Sequence, residues 1–131
     1  MDTPIITILY AGLFGLMSIV LGYLAGAMRG RLGIPIGDGG NDQLLLAMRR
    51  QANFHENVPI TLLMIALLEL NGVGPLSIHA LALALLTFRI LHAIGISADS
   101  VQGTARIAGA AGTALTIVIT SIWCVVVFVT G

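Results

Sequence analysis

The side chains best suited to chemistry are concentrated in one short stretch, RRQANFHENVP, at residues 49–59. It combines two guanidiniums, one carboxylate, one imidazole and several side-chain amides. Guanidiniums bind carboxylates through paired hydrogen bonds, and a carboxylate can hold an ammonium group. The stretch is therefore suited to a small anionic ligand that also carries an ammonium group.

The spacing of these residues predicts two polar strips on one helix. Arg49, Asn53 and Glu56 recur at helical intervals and share a face. Gln51 and His55 fall on the opposite side. A helix that is polar on two sides cannot present both to lipid, so we expect at least one side to contact another subunit.

A purely structural role is also compatible with these residues. Glu56 would then neutralise Arg49 or Arg89 inside the bundle, and Arg50 would extend its guanidinium to the lipid headgroups. Ionisable groups within a membrane span are costly and by default mark a functional site. The residues alone leave both interpretations open.

The composition of the whole chain indicates whether this stretch lies in water or in a membrane. Hydrophobic residues make up 57% of the chain and charged residues only 9%, whereas an ordinary soluble domain has about 25% charged residues. The sequence therefore predicts an integral membrane protein. A formal net charge of zero disfavours a nucleic-acid partner. The single cysteine, Cys124, excludes a disulfide framework, and no metal site is predicted.

The predicted fold class is an all-α integral membrane protein, a four-transmembrane-helix bundle. A spanning helix needs about 20 apolar residues, and the 131 residues form a single transmembrane domain, 1–131, in this interpretation. We expect Asp42 to cap the second helix. The small-residue motifs GYLAG and AGAAGTA predict close helix packing in the first and fourth spans. The four helices are predicted at about 5–28, 42–70, 75–96 and 105–130.

The positions of the arginines predict how the chain is oriented in the membrane. In a four-span chain every arginine lies on the same side, and the chain has no lysine. By the positive-inside rule that side is cytoplasmic, so both termini are predicted to be periplasmic. On the opposite side, Glu69 is expected to be solvated and His79 to be structural. The arginines are Arg29, Arg31, Arg49, Arg50, Arg89 and Arg106.

The polar stretch carries a resemblance to a known family. Its pattern R-x-Q-x-N-x-x-E-N-x-P resembles the second-helix signature of the MAPEG family, membrane-associated proteins in eicosanoid and glutathione metabolism. The length, the four spans and the R-x-x-H of Arg89 and His92 are also similar. GDGGND and ELNG resemble a small bacterial inner-membrane branch of that family.

The resemblance implies a homotrimer of left-handed four-helix bundles in a bacterial inner membrane. Glutathione would bind as co-substrate between adjacent subunits near the cytoplasmic face, and a lipophilic small molecule would be its reaction partner. Arg106 would be the catalytic residue, stabilising the thiolate. The implied glutathione ligands are Arg29 or Arg31, Arg49, Gln51, Asn53, Glu56, Asn57, Arg89 and His92.

Two functions remain open from the resemblance. The first is a glutathione transferase or peroxidase that acts on lipophilic electrophiles or hydroperoxides. The second is a non-catalytic binding or scaffold protein on the same fold, because Ile96 replaces a tyrosine that eicosanoid-type members carry. A small drug or proton antiporter is disfavoured, because the first helix has no carboxylate.

Overall fold

The computed structural model describes residues 3–96 and 103–131, and within these ranges the protein is built from four helices. The prediction of an all-α integral membrane fold is confirmed. The helices are α1 (Ile5–Leu32), α2 (Asp42–Leu70), α3 (Pro75–Gly95) and α4 (Thr104–Thr130). α1, α3 and α4 are each long and apolar enough to cross a membrane, whereas α2 carries the polar stretch in its first half.

The helices form a bundle in which neighbours along the chain run in opposite directions. The end of α2 contacts the start of α1 through Glu69 and Ile6, and the end of α3 packs on the start of α4 at Gly95 and Arg106. α2 and α3 each contact every other helix. In the described part of the chain α1 and α4 do not touch, so they flank the central α2–α3 pair.

The core is built on the apolar face of α2. Phe54, Val58, Ile65 and Leu68 are buried at helical intervals, which produces one continuous stripe along the helix. Pro59 interrupts the hydrogen bonding of α2 but does not end it, and the helix continues to Leu70. The stripe packs against buried residues of the two neighbouring helices, Tyr10, Phe14 and Leu21 of α1 and Ile78, Leu81, Ala82 and Leu85 of α3.

Two helix ends differ from the prediction. Asp42 is not the cap of α2; the cap is Asn41, whose Oδ1 accepts a hydrogen bond from the Leu44 amide at 3.0 Å. α1 continues to Leu32 rather than ending at residue 28. Arg29 and Arg31 therefore lie in its last turn, where the helix dipole favours cations.

The prediction that Glu69 is solvated is wrong. Its Oε1 accepts a hydrogen bond from the Ile6 amide at 2.9 Å, and its Oε2 accepts from the Thr7 amide at 2.8 Å and the Thr7 hydroxyl at 2.6 Å. The N-cap of α1, Pro4, provides no side-chain hydrogen bond, and the first amides of a helix need acceptors. The carboxylate at the end of α2 thus caps α1.

Glycines allow α3 and α4 to approach each other closely. A Cβ at Gly109 would lie 2.7 Å from the His92 Cα, and a Cβ at Gly112 would overlap the ring of Phe88. This agrees with the packing predicted from AGAAGTA in the fourth span. Gly26 of the GYLAG motif has nothing within 4 Å of its Cβ position. The close approach holds the end of α3, with His92, against the start of α4.

Gly109→Ala is expected to destabilise the protein by about 1 to 3 kcal/mol, because the added methyl overpacks the α3–α4 contact. Thermal unfolding in detergent measures this effect. Gly26→Ala is the matched control, and it should be neutral or slightly stabilising because alanine favours helix. Equal melting temperatures for the two variants would contradict the close approach.

Candidate functional site

The polar face of α2 meets the end of α3 and the start of α4 at a small cavity, here called the polar cavity. It encloses about 140 Å³. Arg49 and Asn53 come from α2, His92 from α3 and Arg106 from α4. Leu46 and Ile96 complete the wall. Two guanidiniums from different helices thus face one space, an arrangement suited to an anion.

A second cavity adjoins the first through Asn53 and is here called the Arg89 cavity. It encloses about 270 Å³ and lies between α2, α3 and α4. Asn53, Asn57 and Arg89 form its polar wall, and small and branched residues of α4 from Ala110 onward form the other side. The two cavities thus lie next to each other along α2 and share Asn53.

Arg89 is the most deeply buried charge at this site, with 2% of its surface exposed. Its Nη1 donates a hydrogen bond to Asn53 Oδ1 at 2.6 Å and makes a longer contact to the Asn53 carbonyl at 3.4 Å. Its Nε has no hydrogen-bond partner among the described residues. A guanidinium carries five donors, and a buried donor without an acceptor is costly. Arg89 therefore has unused donor capacity in a buried position.

Arg106 adds a second incompletely satisfied guanidinium. It lies in the first turn of α4, and its buried Nε has no hydrogen-bond partner in the described ranges. The N-cap residue, Gly103, supplies no side-chain acceptor or donor. The positive end of the helix dipole reinforces the charge of Arg106. The polar cavity is consequently electropositive.

The amide side chains of α2 are held in place by local hydrogen bonds. Asn57 Nδ2 donates to the Asn53 carbonyl at 2.7 Å, and Asn53 Oδ1 is engaged by Arg89. The Asn53 Nδ2 group remains as a donor at the junction of the two cavities. On the facing helix, the Thr113 hydroxyl donates to the Gly109 carbonyl at 2.7 Å and is satisfied within α4.

Six of the ten residues singled out from the sequence line these two cavities, and four lie elsewhere. Glu56 is exposed on the same side of α2 as Arg49 but lines neither cavity. Within the described residues Arg89 hydrogen-bonds to Asn53 and not to Glu56. The six are Arg49, Asn53, Asn57, Arg89, His92 and Arg106.

The arginines at the end of α1 have different surroundings. Arg29 Nη1 donates to the Gly37 carbonyl at 2.8 Å, and its Nη2 lies 3.2 Å from Met48 Sδ. It therefore anchors the loop between α1 and α2. Arg31 is exposed and lines a separate cavity between α1 and α2 together with Arg50.

The second polar strip of α2 contacts α1 of the same chain. A Cβ at Gly22 would lie 3.3 Å from Gln51 Nε2. His55 Nε2 lies 2.9 Å from Ser18 Oγ, and His55 Nδ1 lies 2.9 Å from the Gln51 carbonyl. This strip finds its polar contacts within one chain. On the opposite face Arg49 and Glu56 are exposed, and a contact with another subunit there stays a prediction.

The sequence interpretation did not anticipate the contact made by Arg50. Its Nη2 donates to the Ile96 carbonyl, and its Nε has no partner among the described residues. α3 ends at Gly95, so the Ile96 carbonyl is available as an acceptor. The guanidinium is thus directed to the end of α3. In the sequence, only the predicted end of α3 could have indicated this contact.

Comparisons with known proteins agree with the architecture. The MAPEG family matches residues 7–126. The inner membrane protein YecN of Escherichia coli K12 is 29% identical over 90 residues, which are 69% of this chain and 69% of that protein. The YecN protein of Escherichia coli O6:H1 gives the same values, 29% over 90 residues. No solved structure matches. With a family match along nearly all of its length and a four-helix membrane fold, the chain belongs to the MAPEG family.

Proposed function

We propose that this protein binds glutathione at the polar and Arg89 cavities and uses it as a co-substrate in a bacterial inner membrane. The observation that carries this proposal is the buried Arg89, whose Nε has no partner in the described part of the chain. A buried charge without a counter-ion costs several kcal/mol. A carboxylate of a bound ligand would offset that cost.

The charges at the site match those of glutathione, which has two carboxylates, one ammonium group, two amides and a thiol. Arg49 and Arg89 supply donors for the carboxylates, and Asn53 supplies an amide donor between them. Glu56, exposed on the same face of α2, would hold the ammonium group. Because this face is open in one chain, a neighbouring subunit is needed to cover the ligand, which supports a homotrimer.

The proposed reaction is nucleophilic attack by the glutathione sulfur. Arg106 favours the thiolate, which is the nucleophile. The thiolate forms a carbon–sulfur bond with the electrophile, whose leaving group departs with the bonding electrons, and the thiol proton passes to water at the cytoplasmic end. The lipophilic substrate would reach the site through the lipid, and Val118, which lines the Arg89 cavity, is exposed and apolar.

One observation favours a second candidate, a non-catalytic glutathione-binding or scaffold protein. Ile96 is buried, with 6% of its surface exposed, and forms part of the wall of the polar cavity. Eicosanoid-type members carry a tyrosine at this point. An isoleucine offers no hydroxyl to the sulfur, so one group that would activate the sulfur is missing.

Isothermal titration of the detergent-purified protein with glutathione tests binding. We expect saturable heat for glutathione and tighter binding of S-hexylglutathione, because its alkyl chain enters an apolar environment. Cysteinylglycine, which lacks the γ-glutamyl group, is the control ligand and should bind more weakly. An absence of heat with both glutathione and its hexyl conjugate would refute the proposal.

Glu56→Gln is expected to weaken glutathione binding by about tenfold to a hundredfold, the range for losing one charge-assisted hydrogen bond. Because the Glu56 side chain is exposed, the melting temperature should not change. Titration calorimetry and thermal unfolding on the same preparation measure both quantities.

Glu69→Gln is the matched control for this substitution. Glu69 accepts three hydrogen bonds at the start of α1, so this variant should melt earlier and keep its glutathione affinity. If Glu56→Gln instead lowered the melting temperature and left affinity intact, Glu56 would be a structural residue.

The proposed orientation places both termini in the periplasm, because the arginines gather at the opposite ends of the helices. A C-terminal alkaline phosphatase fusion is expected to be active, since this reporter folds only in the periplasm. A C-terminal green fluorescent protein fusion is the complementary control and should be dark. The reverse pattern would overturn the orientation.

A further inference from the structure

A long apolar groove lies between α1 and α3 and shares one lining residue, Ile96, with the polar cavity. It encloses about 640 Å³. Its walls are aliphatic side chains of α1 and α3, and the only charged group that lines it is Arg50, within the described residues. None of the residues assigned to glutathione binding lines this groove.

The groove has the depth of one membrane leaflet. On α1 it extends from Leu13 to Leu24, which corresponds to about 16 Å at the helical rise per residue. The hydrocarbon core of a bilayer is about 30 Å thick, so one leaflet is about half of that. Leu24 and Arg50 mark the end nearer the arginine side of the bundle. The groove therefore covers the arginine-side leaflet.

The rim of the groove is open to the side. Val20 on α1 is 55% exposed and Ile94 on α3 is 69% exposed. Both line the groove, so a flexible hydrocarbon chain can enter laterally from the bilayer.

At the polar end of the groove, Arg50 is followed by Arg31 of an adjoining cavity, and no carboxylate lines either space in the described ranges. Arg50 uses Nη2 to reach the Ile96 carbonyl, and its buried Nε has no partner there. Arg50 and Leu24 also line the adjoining cavity of about 300 Å³, which Arg31 shares. The apolar groove thus leads directly to a site with two arginines.

We propose that the α1–α3 groove binds an anionic phospholipid of the cytoplasmic leaflet. One acyl chain lies between α1 and α3, and the phosphate accepts hydrogen bonds from Arg50 and Arg31. Guanidiniums pair well with phosphate oxygens, and basic pockets between helices on the cytoplasmic side select anionic headgroups. A helix of a second subunit would cover the apolar walls of the groove but would leave the guanidiniums of Arg50 and Arg31 without an anion.

Neighbouring arginines on α2 face the groove and the polar cavity separately, although Ile96 lines both. Arg49 lines the polar cavity and Arg50 lines the groove. The two residues therefore form a matched pair for mutation. Substituting either one removes one positive charge at the same level along α2.

Native mass spectrometry of the intact oligomer tests the proposal. The protein is purified with an equal mixture of phosphatidylglycerol and phosphatidylcholine of identical acyl chains, and the retained lipids are counted. We expect the wild type to retain more phosphatidylglycerol than phosphatidylcholine. Arg50→Gln should reduce that preference by about fivefold, and Arg49→Gln should leave it unchanged.

A second variant tests the acyl-chain part of the site. Ala93 is half-buried and lines the groove, so Ala93→Phe fills it and should lower retention of both lipids. Retention without headgroup preference in the wild type would overturn the proposal. Loss of the oligomer in Ala93→Phe with unchanged lipid retention would also overturn it, and would assign the groove to a subunit contact.

Discussion

Replacing Arg89 with methionine is expected to remove most glutathione binding while leaving the ligand-free protein at least as stable as the wild type. The expected loss of affinity is about tenfold to a hundredfold, because one charge-assisted hydrogen bond to the ligand disappears. The expected gain in stability has a separate cause. Arg89 is 2% exposed, and replacing a buried, incompletely paired charge with an apolar side chain of similar volume is often neutral or stabilising.

The measurement compares melting temperatures with and without saturating glutathione. The wild type should gain stability on binding, and Arg89→Met should gain much less although its ligand-free melting temperature is equal or higher. A large fall in the ligand-free melting temperature would show that Arg89 stabilises the fold instead.

A double-mutant cycle tests whether Arg89 and Asn53 bind glutathione as one unit. Asn53 Oδ1 accepts the Arg89 hydrogen bond at 2.6 Å, so the two residues are coupled and their effects on affinity should not add. Asn53→Ala alone is expected to weaken binding, and the same change in the Arg89→Met background should weaken it little further. Full additivity would place the two side chains on separate parts of the ligand.

The four helices could be predicted because their signals are local. Apolar runs of spanning length alternate with Gly, Pro and Asn turns, and each signal depends only on neighbours in the sequence. The face shared by Arg49 and Asn53 follows from helical periodicity in the same way, and the structure places both in one cavity. Arg89, His92 and Arg106 lie on other helices, and periodicity within one helix cannot connect them with α2.

The contacts that the sequence does not predict lie mostly between helices. Glu69 was expected to be solvated because it lies beside a turn, but the uncapped start of α1 lies within hydrogen-bond distance. Gln51 and His55 contact α1 through Gly22 and Ser18, and neither motif nor spacing predicts that neighbour. Such contacts depend on the order and rotation of the helices, which a single sequence does not specify.

Helical geometry also explains how adjacent residues of α2 line two different cavities. Arg49 faces the junction of α3 and α4, whereas Arg50, one residue later, is directed toward the end of α3 on the side of α1. A step of one residue turns about 100° around the helix. Adjacent arginines thus reach separate cavities without further adaptation of the fold.

Arg106→Leu is expected to separate activation of the sulfur from binding of glutathione. Arg106 lies at the start of α4, and its guanidinium lines the polar cavity beside His92. In the proposed mode of binding, the helix N-terminus and the guanidinium together stabilise the thiolate. Turnover should therefore fall by about a hundredfold, the usual effect of losing one preorganised charge-stabilising donor.

Two measurements on Arg106→Leu distinguish this role from a structural one. The ultraviolet absorbance of bound thiolate should fall together with conjugation of chlorodinitrobenzene, while glutathione affinity changes little because Arg49, Asn53 and Arg89 still hold the peptide. Arg106→Lys should restore part of the thiolate signal, since it keeps the positive charge.

Arg49→Leu is the matched control, because Arg49 lines the same cavity from α2. It should lower affinity and leave the thiolate fraction of the bound ligand unchanged. Full turnover in Arg106→Leu would move the activating role to another guanidinium of the site. If the wild type binds glutathione but shows neither thiolate nor turnover, the charge at the start of α4 serves binding alone. The buried Ile96 then marks a family member that holds glutathione without activating it.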